Sequence, residues 1–238
     1  DRVDGGGFLA HQNLVAAYLH PETPYRGLLL IHSLGSGKTC AAAAALRTWK
    51  ASGGKRNVRI VAPASLHGNF LQTMLLCGDG RWSKSESGAW VPREDGKHVT
   101  ALESDERTGL ENSVRVSSDG SDVFISQNGL TPRLVASFGT PPNNTFDDSL
   151  IIVDEAHNLA RTLANADGDG NSTSNLSYAL YNTIKTAKRS KVILLTGTPI
   201  QNHPVELAFL VNMVAGNITE HIFRWTLPMD PSTLSDAR

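Results

Sequence analysis

Five short runs of this chain are almost unbroken Leu, Ile and Val: residues 27–32, 58–62, 122–126, 150–154 and 191–196. A strand with one face in water alternates apolar and polar positions, so continuous runs predict strands covered on both faces. Between them, helical spacing predicts helices over residues 8–20, 38–50, 65–76, 130–138, 176–188 and 204–214. In the last of these, Leu207, Leu210, Val211 and Val214 fall at i, i+3, i+4 and i+7, which gives the helix one apolar face. Strands alternating with helices predict an α/β fold, a parallel sheet with helices on both faces in three layers.

Two stretches break the pattern. Residues 78–120 are mostly polar, with Trp82 and Trp90 as their only aromatic groups, and residues 164–174 are rich in Gly, Asp, Asn and Ser. Neither carries a periodic apolar pattern, and loops tolerate length cheaply, so both are expected to be surface insertions. One lobe is therefore expected over residues 1–226, followed by a tail over 227–238. At 238 residues and 40% hydrophobic content the chain can bury a sizeable core.

Composition narrows the functional classes. With 22 basic against 23 acidic side chains the formal net charge is −1, so no global field draws the chain onto nucleic acid or an anionic membrane. Any such binding must be local. Cys40 and Cys77 are too few for a disulfide framework and lack metal-ligand spacing, which fits a reducing, intracellular compartment. No apolar run approaches the roughly 18 residues of a membrane span, so a soluble protein with no membrane partner is expected. The chain starts at Asp1 rather than a methionine and ends among Pro and Ser, as a piece of a longer protein would.

The first predicted strand runs into His32-Ser33-Leu34-Gly35-Ser36-Gly37-Lys38-Thr39, and a helix with five successive alanines, Ala41 to Ala45, follows. Backbone N–H groups of such a glycine turn, with the positive end of the helix, make a cradle for a triphosphate. Leu34, Gly35, Ser36, Gly37, Lys38, Thr39 and Cys40 are the expected nucleotide contacts. Lys38 would reach the outer phosphates and the Thr39 hydroxyl would hold Mg²⁺, which makes ATP and Mg²⁺ the expected cofactors. His32 stands where G-x-x-x-x-G-K-T has its first glycine.

The fourth strand ends in Asp154-Glu155-Ala156-His157. In a parallel sheet the carboxyl ends of all strands lie on one edge, so Asp154 should face the same space as Lys38 and Thr39. Asp154 would be the second metal ligand, and Glu155 would orient and deprotonate the attacking water. His157 completes the expected catalytic set of Lys38, Asp154, Glu155 and His157.

Asp154 to His157, together with Leu195-Thr196-Gly197-Thr198-Pro199-Ile200-Gln201-Asn202, resembles motifs II and III of superfamily 2 helicases and translocases, of the DEAH-box kind. The Thr-Gly-Thr-Pro-Ile-Gln-Asn form is especially similar to the Swi/Snf branch. Ala62 to Phe70 resembles motif Ia of that branch. The phrase from Pro24 to Thr39 is most similar to helicase-type ATPases of large DNA viruses, including poxvirus transcription nucleoside triphosphatases and early transcription factors.

The resemblance covers residues 8 to 215 without the insertions, and it implies a RecA-like P-loop NTPase lobe. It further implies an adenine-reading Gln12, and coupling through Thr196, Gly197, Thr198 and Gln201, with the two threonines exchanging hydrogen bonds with His157. Pro63, Ser65, Asn69 and Ser126 are its implied nucleic-acid contacts. The implied partners are DNA or RNA, with DNA favoured, a second RecA-like lobe of the same parent chain, and viral transcription machinery.

Read from the residues alone, Gln12 is equally a polar position on an amphipathic helix, and Trp49, Trp82 and Trp90 are packing anchors before they are base-stacking platforms. The cluster Lys185, Lys188, Arg189 and Lys191 reads as a solvated helix end. The family places its arginine fingers in the second lobe, and such groups are worth on the order of 10³ to 10⁵ in rate. No comparable segment follows Asn202, so this chain alone is expected to bind nucleotide, hydrolyse it slowly and not translocate. A P-loop kinase or switch NTPase without a nucleic-acid track, and a non-catalytic interaction module, are the alternatives.

Overall fold

A computed structural model describes residues 7–32, 35, 37–53, 57–66, 68, 70, 73, 77, 82–84, 90–92, 122–139, 142–165 and 172–217. The elements are α1 (Ala10–Tyr18), β1 (Gly27–Ile31), α2 (Lys38–Ala51), β2 (Asn57–Ala62), β3 (Trp82–Lys84), β4 (Trp90–Pro92) and β5 (Asp122–Ser126). They continue with α3 (Pro132–Ala136), β6 (Ser149–Val153), α4 (Ala156–Ala164), α5 (Ser172–Thr186), β7 (Lys191–Thr196) and α6 (Val205–Ala215).

Five strands form one parallel sheet in the order β1-β7-β6-β2-β5. The apolar runs are continuous because each face of each strand meets helices. Leu150, Ile152, Ile193 and Leu195 point toward the face covered by Val15 of α1, Leu19 just after it, and Ala41, Ala45 and Trp49 of α2. Ile151, Val153, Val192 and Leu194 point to the opposite face, against Leu159, Leu163, Leu180, Ile184, Leu210 and Met213 of α4, α5 and α6. Each such side chain, removed from water, contributes about 1.5–3 kcal/mol before entropy is counted. Ala41 to Ala45 of α2 are 0–3% exposed, and their small side chains let the helix lie close on the sheet.

Two cations, half-buried Arg26 and buried Lys191, fasten the edge of the sheet away from the strand ends that carry the motifs. The Arg26 guanidinium donates to the carbonyls of Ile184 at 2.7 Å and Val214 at 3.1 Å, and also to Met213, so it caps the last turns of α5 and α6 together. Lys191 Nζ donates to the carbonyls of Thr23 and Tyr25 at 2.7 and 2.6 Å. Arg189 makes two 2.6 Å bonds to the Asp148 carboxylate. The basic cluster near the end of α5 is thus divided: Lys188 and Arg189 are solvated, as expected, whereas Lys191 is buried.

Several expectations need correction. Residues 156–164 form α4, a helix absent from the sequence reading. Residues 172–174, taken there as insertion, are the first turn of α5. The polar stretch 78–120 contributes β3 and β4, which pair antiparallel; the rest of it lies outside the described residues, as do 166–171 and the expected tail 227–238.

Cys40 and Cys77 form a disulfide, tying the first turn of α2 to a position 37 residues on. Too few for a disulfide framework and expected to fit a reducing compartment, the two cysteines nevertheless pair in the folded chain, 37 residues apart in sequence and 5.1 Å between Cα atoms. Among the described residues no helix is long and apolar enough to cross a membrane.

Candidate functional site

The site lies at the carboxyl ends of β1, β7 and β6, three neighbours in the sheet. His32 N donates to the Thr196 carbonyl at 3.1 Å, carrying the β1–β7 ladder one residue past the strand. The chain then turns through Gly35 (φ +78°) and Gly37 (φ +84°), left-handed conformations that cost an L side chain strain. A Cβ at Gly37 would sit 2.8 Å from Gln12 Nε2, so a larger residue would also displace the end of the Gln12 side chain. Lys38 opens α2, is buried, and donates from Nζ to the His32 carbonyl at 3.0 Å. Leu34 and Ser36 lie outside the described residues.

Gln12 is buried on α1. Its Oε1 accepts from Leu9 N at 2.9 Å in a capping arrangement, so only the amide nitrogen faces Gly37.

On the neighbouring strand end, Asp154 N donates to the Val61 carbonyl at 2.8 Å, which fixes the backbone where β6 stops. The Asp154 carboxyl is 7% exposed and is pushed up to about 6. Burial is the main cause and the charge of Glu155 the next; the Glu155 N–H and Lys38 act in the opposite direction. Among the described residues its only side-chain hydrogen bond is that N–H, at 3.0 Å. Such a carboxylate gains from a divalent cation, and with the Thr39 hydroxyl it supplies the hard oxygen donors that suit Mg²⁺.

Glu155 adopts φ +46°, uncommon for a residue with a Cβ, and α4 starts immediately after it. Its Oε2 lies 3.3 Å from His157 Nδ1. Burial lowers the His157 pKa and the charge of Glu155 opposes that.

The third component is the turn after β7. Thr196 is fully buried, and its Oγ1 lies 3.0 Å from His157 Nδ1. A bare Nδ1 lone pair would face two oxygens, one of them a carboxylate, so the tautomer with the proton on Nδ1 fits. Thr198 N also donates to Thr196 Oγ1, at 3.1 Å, and Gln201 Nε2 donates to Thr198 Oγ1 at 3.1 Å. Thr196 thus contacts His157 directly, and Thr198 is linked to it only through Thr196. A Cβ at Gly197 would stand 3.7 Å from Lys38 Nζ, which brings the glycine loop, the acidic strand end and this turn around one space.

Residues 10–201 match the family described as Type III restriction enzyme, res subunit (ResIII). The chain belongs to the ResIII family. It is similar to "Putative ATP-dependent RNA helicase R563" of Acanthamoeba polyphaga mimivirus, 31% identical over 88% of this chain and 33% of that protein. It is similar also to "Termination factor NPH-I homolog" of African swine fever virus, 28% identical over 81% of this chain and 23% of that protein. The chain thus spans a third or less of the length of these relatives.

The fold is that of the SWI2/SNF2 ATPase core of Sulfolobus solfataricus, solved with double-stranded DNA. The TM-score is 0.50 at 17% identity, over 90% of this chain and 37% of that one. This ResIII chain is a RecA-like lobe of a superfamily 2 helicase-type ATPase, as the motif resemblance implied.

Within the ResIII lobe, the residues implied as nucleic-acid contacts are scattered in accessibility. Ser65 is exposed on the short turn after β2, Pro63 is buried, and Asn69 lies outside the described residues. Among the described residues the Ser126 hydroxyl is buried without a hydrogen-bond partner, and the turn over 127–129 folds back on it: a Cβ at Gly129 would lie 3.2 Å from Ser126 Oγ. Ser126 therefore offers no exposed hydroxyl to a ligand. Its neighbour Gln127 donates from Nε2 to the Asp154 carbonyl at 2.8 Å, joining the end of β5 to the acidic strand end.

The sequence pattern did not single out Arg161 and Glu206, which hold the turn after β7 from outside the nucleotide site. Each is a single polar residue on a helix. The available signals were the i, i+4 step from His157 to Arg161 and an acid in the first turn of α6.

Proposed function

We propose that this lobe binds Mg²⁺-ATP at the carboxyl ends of β1, β7 and β6, and that the complete protein couples its hydrolysis to movement on nucleic acid. The observation that supports this best is the convergence of Lys38, Asp154 and Gly197 from three adjacent strand ends. Fold alone would not support it; side chains with complementary roles meeting at one place do.

In this reading the Gly35 and Gly37 amides cradle the phosphates, and the Lys38 ammonium exchanges the His32 carbonyl for the outer phosphates. Gln12 meets the adenine with its amide nitrogen. Thr39 and Asp154 hold Mg²⁺, which when bound neutralises charge on the outer phosphates. Glu155 orients a water molecule, takes its proton as the oxygen bonds to the terminal phosphorus, and the bond to the bridging oxygen breaks to leave ADP and phosphate. His157 holds the Glu155 carboxylate in place and passes its position to Thr196. The remaining positive charge comes from arginines of a second lobe.

Nucleic acid lies across Ser65 and the exposed face of the turn over 196–203. DNA is favoured over RNA, on the likeness of that turn to the Swi/Snf form. The relative named a termination factor favours a role in viral transcription for the complete protein.

The test is ATP hydrolysis by the complete protein without nucleic acid and with single strands and duplexes of DNA and RNA. Stimulation by one of these, lost in Lys38→Ala and Glu155→Gln, is expected. Hydrolysis indifferent to every nucleic acid would instead favour a kinase or switch NTPase.

A further inference from the structure

The turn after β7 is gripped from beneath by two residues with no part in the chemistry above. Glu206, in the first turn of α6, has no solvent exposure. Its Oε2 accepts from Gln201 N at 2.8 Å, and its Oε1 accepts from Asn202 N and His203 N, both at 3.1 Å. Burial by itself would raise the pKa of this carboxyl, yet the three amides and the charge of Arg161 hold it below the ordinary value. The carboxylate thus ties down three consecutive peptide groups that would otherwise form a free loop. The side chains of Thr198, Ile200, Gln201 and Asn202 meanwhile face outward, Ile200 with 46% of its surface exposed.

Arg161 supplies the second grip. It lies on α4 four residues after His157, so the two side chains leave the same face of the helix one turn apart. His157 meets Thr196 at the start of the turn, while Arg161 donates to Gln201 Oε1 at 3.0 Å near its end and is braced by Asn158 Oδ1 at 3.1 Å. Helix α4 therefore holds both ends of the segment 196–201. Because α4 begins directly after Glu155, a displacement of the acidic strand end is transmitted at two points. A turn held at one end pivots; one held at both ends moves with the helix.

We propose that Arg161 and Glu206 are positioning residues that lock the turn over 196–203 to α4 and α6, so that nucleotide on its inner side and nucleic acid on its outer face act on one another. This rests on the functional reading above. Coupling energies of this kind correspond to changes of about 5–150-fold, and they are reciprocal for binding.

The experiment uses the complete protein and measures ATP hydrolysis with and without the stimulating nucleic acid, alongside affinity for a fluorescent ATP analogue. Arg161→Met is expected to keep basal hydrolysis and analogue affinity within about twofold of wild type, while stimulation falls about fivefold or more. Arg161→Lys, which can still donate to Gln201, should restore part of it. Glu206→Gln should behave as Arg161→Met does. If that buried substitution lowers the unfolding midpoint, the half-exposed Arg161 variants decide.

A double variant Arg161→Met with Gln201→Ala should be no worse than the poorer single variant, since both break one contact. Unchanged stimulation in Arg161→Met, or basal and stimulated rates falling in proportion, would overturn the inference while leaving the functional reading in place. A wild type that no nucleic acid stimulates would remove the functional reading itself.

Discussion

His157 Nδ1 lies 3.0 Å from Thr196 Oγ1, and the same hydroxyl oxygen accepts from Thr198 N at 3.1 Å. One buried oxygen thus serves two donors from two elements, α4 and the turn after β7. Thr196→Val keeps the volume and removes the acceptor, leaving the part-buried Thr198 N without it and His157 Nδ1 with only the Glu155 carboxylate at 3.3 Å. A loss of about 1–3 kcal/mol is expected, read as a lower urea midpoint without a change in slope. An unchanged midpoint would show that the oxygen is not needed there.

Asp154 carries the clearest dependence on pH. Its folded pKa of about 6 stands above the 3.8 of a free side chain, so the folded chain holds the proton more tightly than the unfolded one. Stability contributed by this group is therefore present at low pH and is lost as pH rises from about 4 through 6. Above that window the buried anion costs on the order of 2–3 kcal/mol in the absence of ligand. Asp154→Asn keeps an oxygen for the Glu155 N–H and removes the charge. The variant should be more stable than wild type at pH 8 and converge with it near pH 4, in thermal melts without nucleotide. A variant less stable at pH 8 would contradict the assignment.

Gly37 combines a left-handed backbone with a neighbour at 2.8 Å from any Cβ, whereas Gly53, also left-handed, has nothing within 4 Å of its Cβ position. Gly53→Ala should cost about 1–2 kcal/mol of stability and no nucleotide affinity. Gly37→Ala should cost a similar strain, and in addition displace Gln12 and reduce binding of an ATP analogue about tenfold or more. Calorimetric titration of both variants separates strain from contact, and equal affinities would rule out a special role for the Gly37–Gln12 approach.

The Cys40–Cys77 bond closes a segment of 37 residues. The loop-entropy relation gives about 3–4 kcal/mol for such a closure. Denaturant melts with and without reductant, repeated on Cys40→Ser with Cys77→Ser, should show that loss in both the reduced protein and the variant. Coincident melts would mean that the bond does not constrain the unfolded chain.

The sheet was legible because its strands are buried on both faces and each therefore reads as an unbroken apolar run; the observed ends shift by a residue at most. The glycine loop and the Asp154-Glu155 pair were legible because a strand before and a helix after each fix where the backbone goes. Helix α4 escaped notice because His157, Asn158, Arg161 and Thr162 interrupt its apolar positions, although Ala156, Leu159, Ala160 and Leu163 keep helical spacing.

The grips of Arg161 on Gln201 and of Arg26 on two helix ends could not be read in advance. Their partners lie 40 and more than 150 residues away, and no local pattern encodes such distances. The same holds for the disulfide, and for Ser126, whose hydroxyl is hidden by its own following turn.

The proposed function requires one metal-bound triphosphate shared by Lys38, Thr39 and Asp154. A crystal structure of the protein with Mg²⁺ and a non-hydrolysable ATP analogue tests this most directly. The predicted result has Lys38 Nζ released from the His32 carbonyl onto the outer phosphates, with Thr39 and Asp154 on the side of the bound cation. An analogue seated elsewhere, or Lys38 still bonded to His32 with the carboxylate turned away from the phosphates, would contradict it.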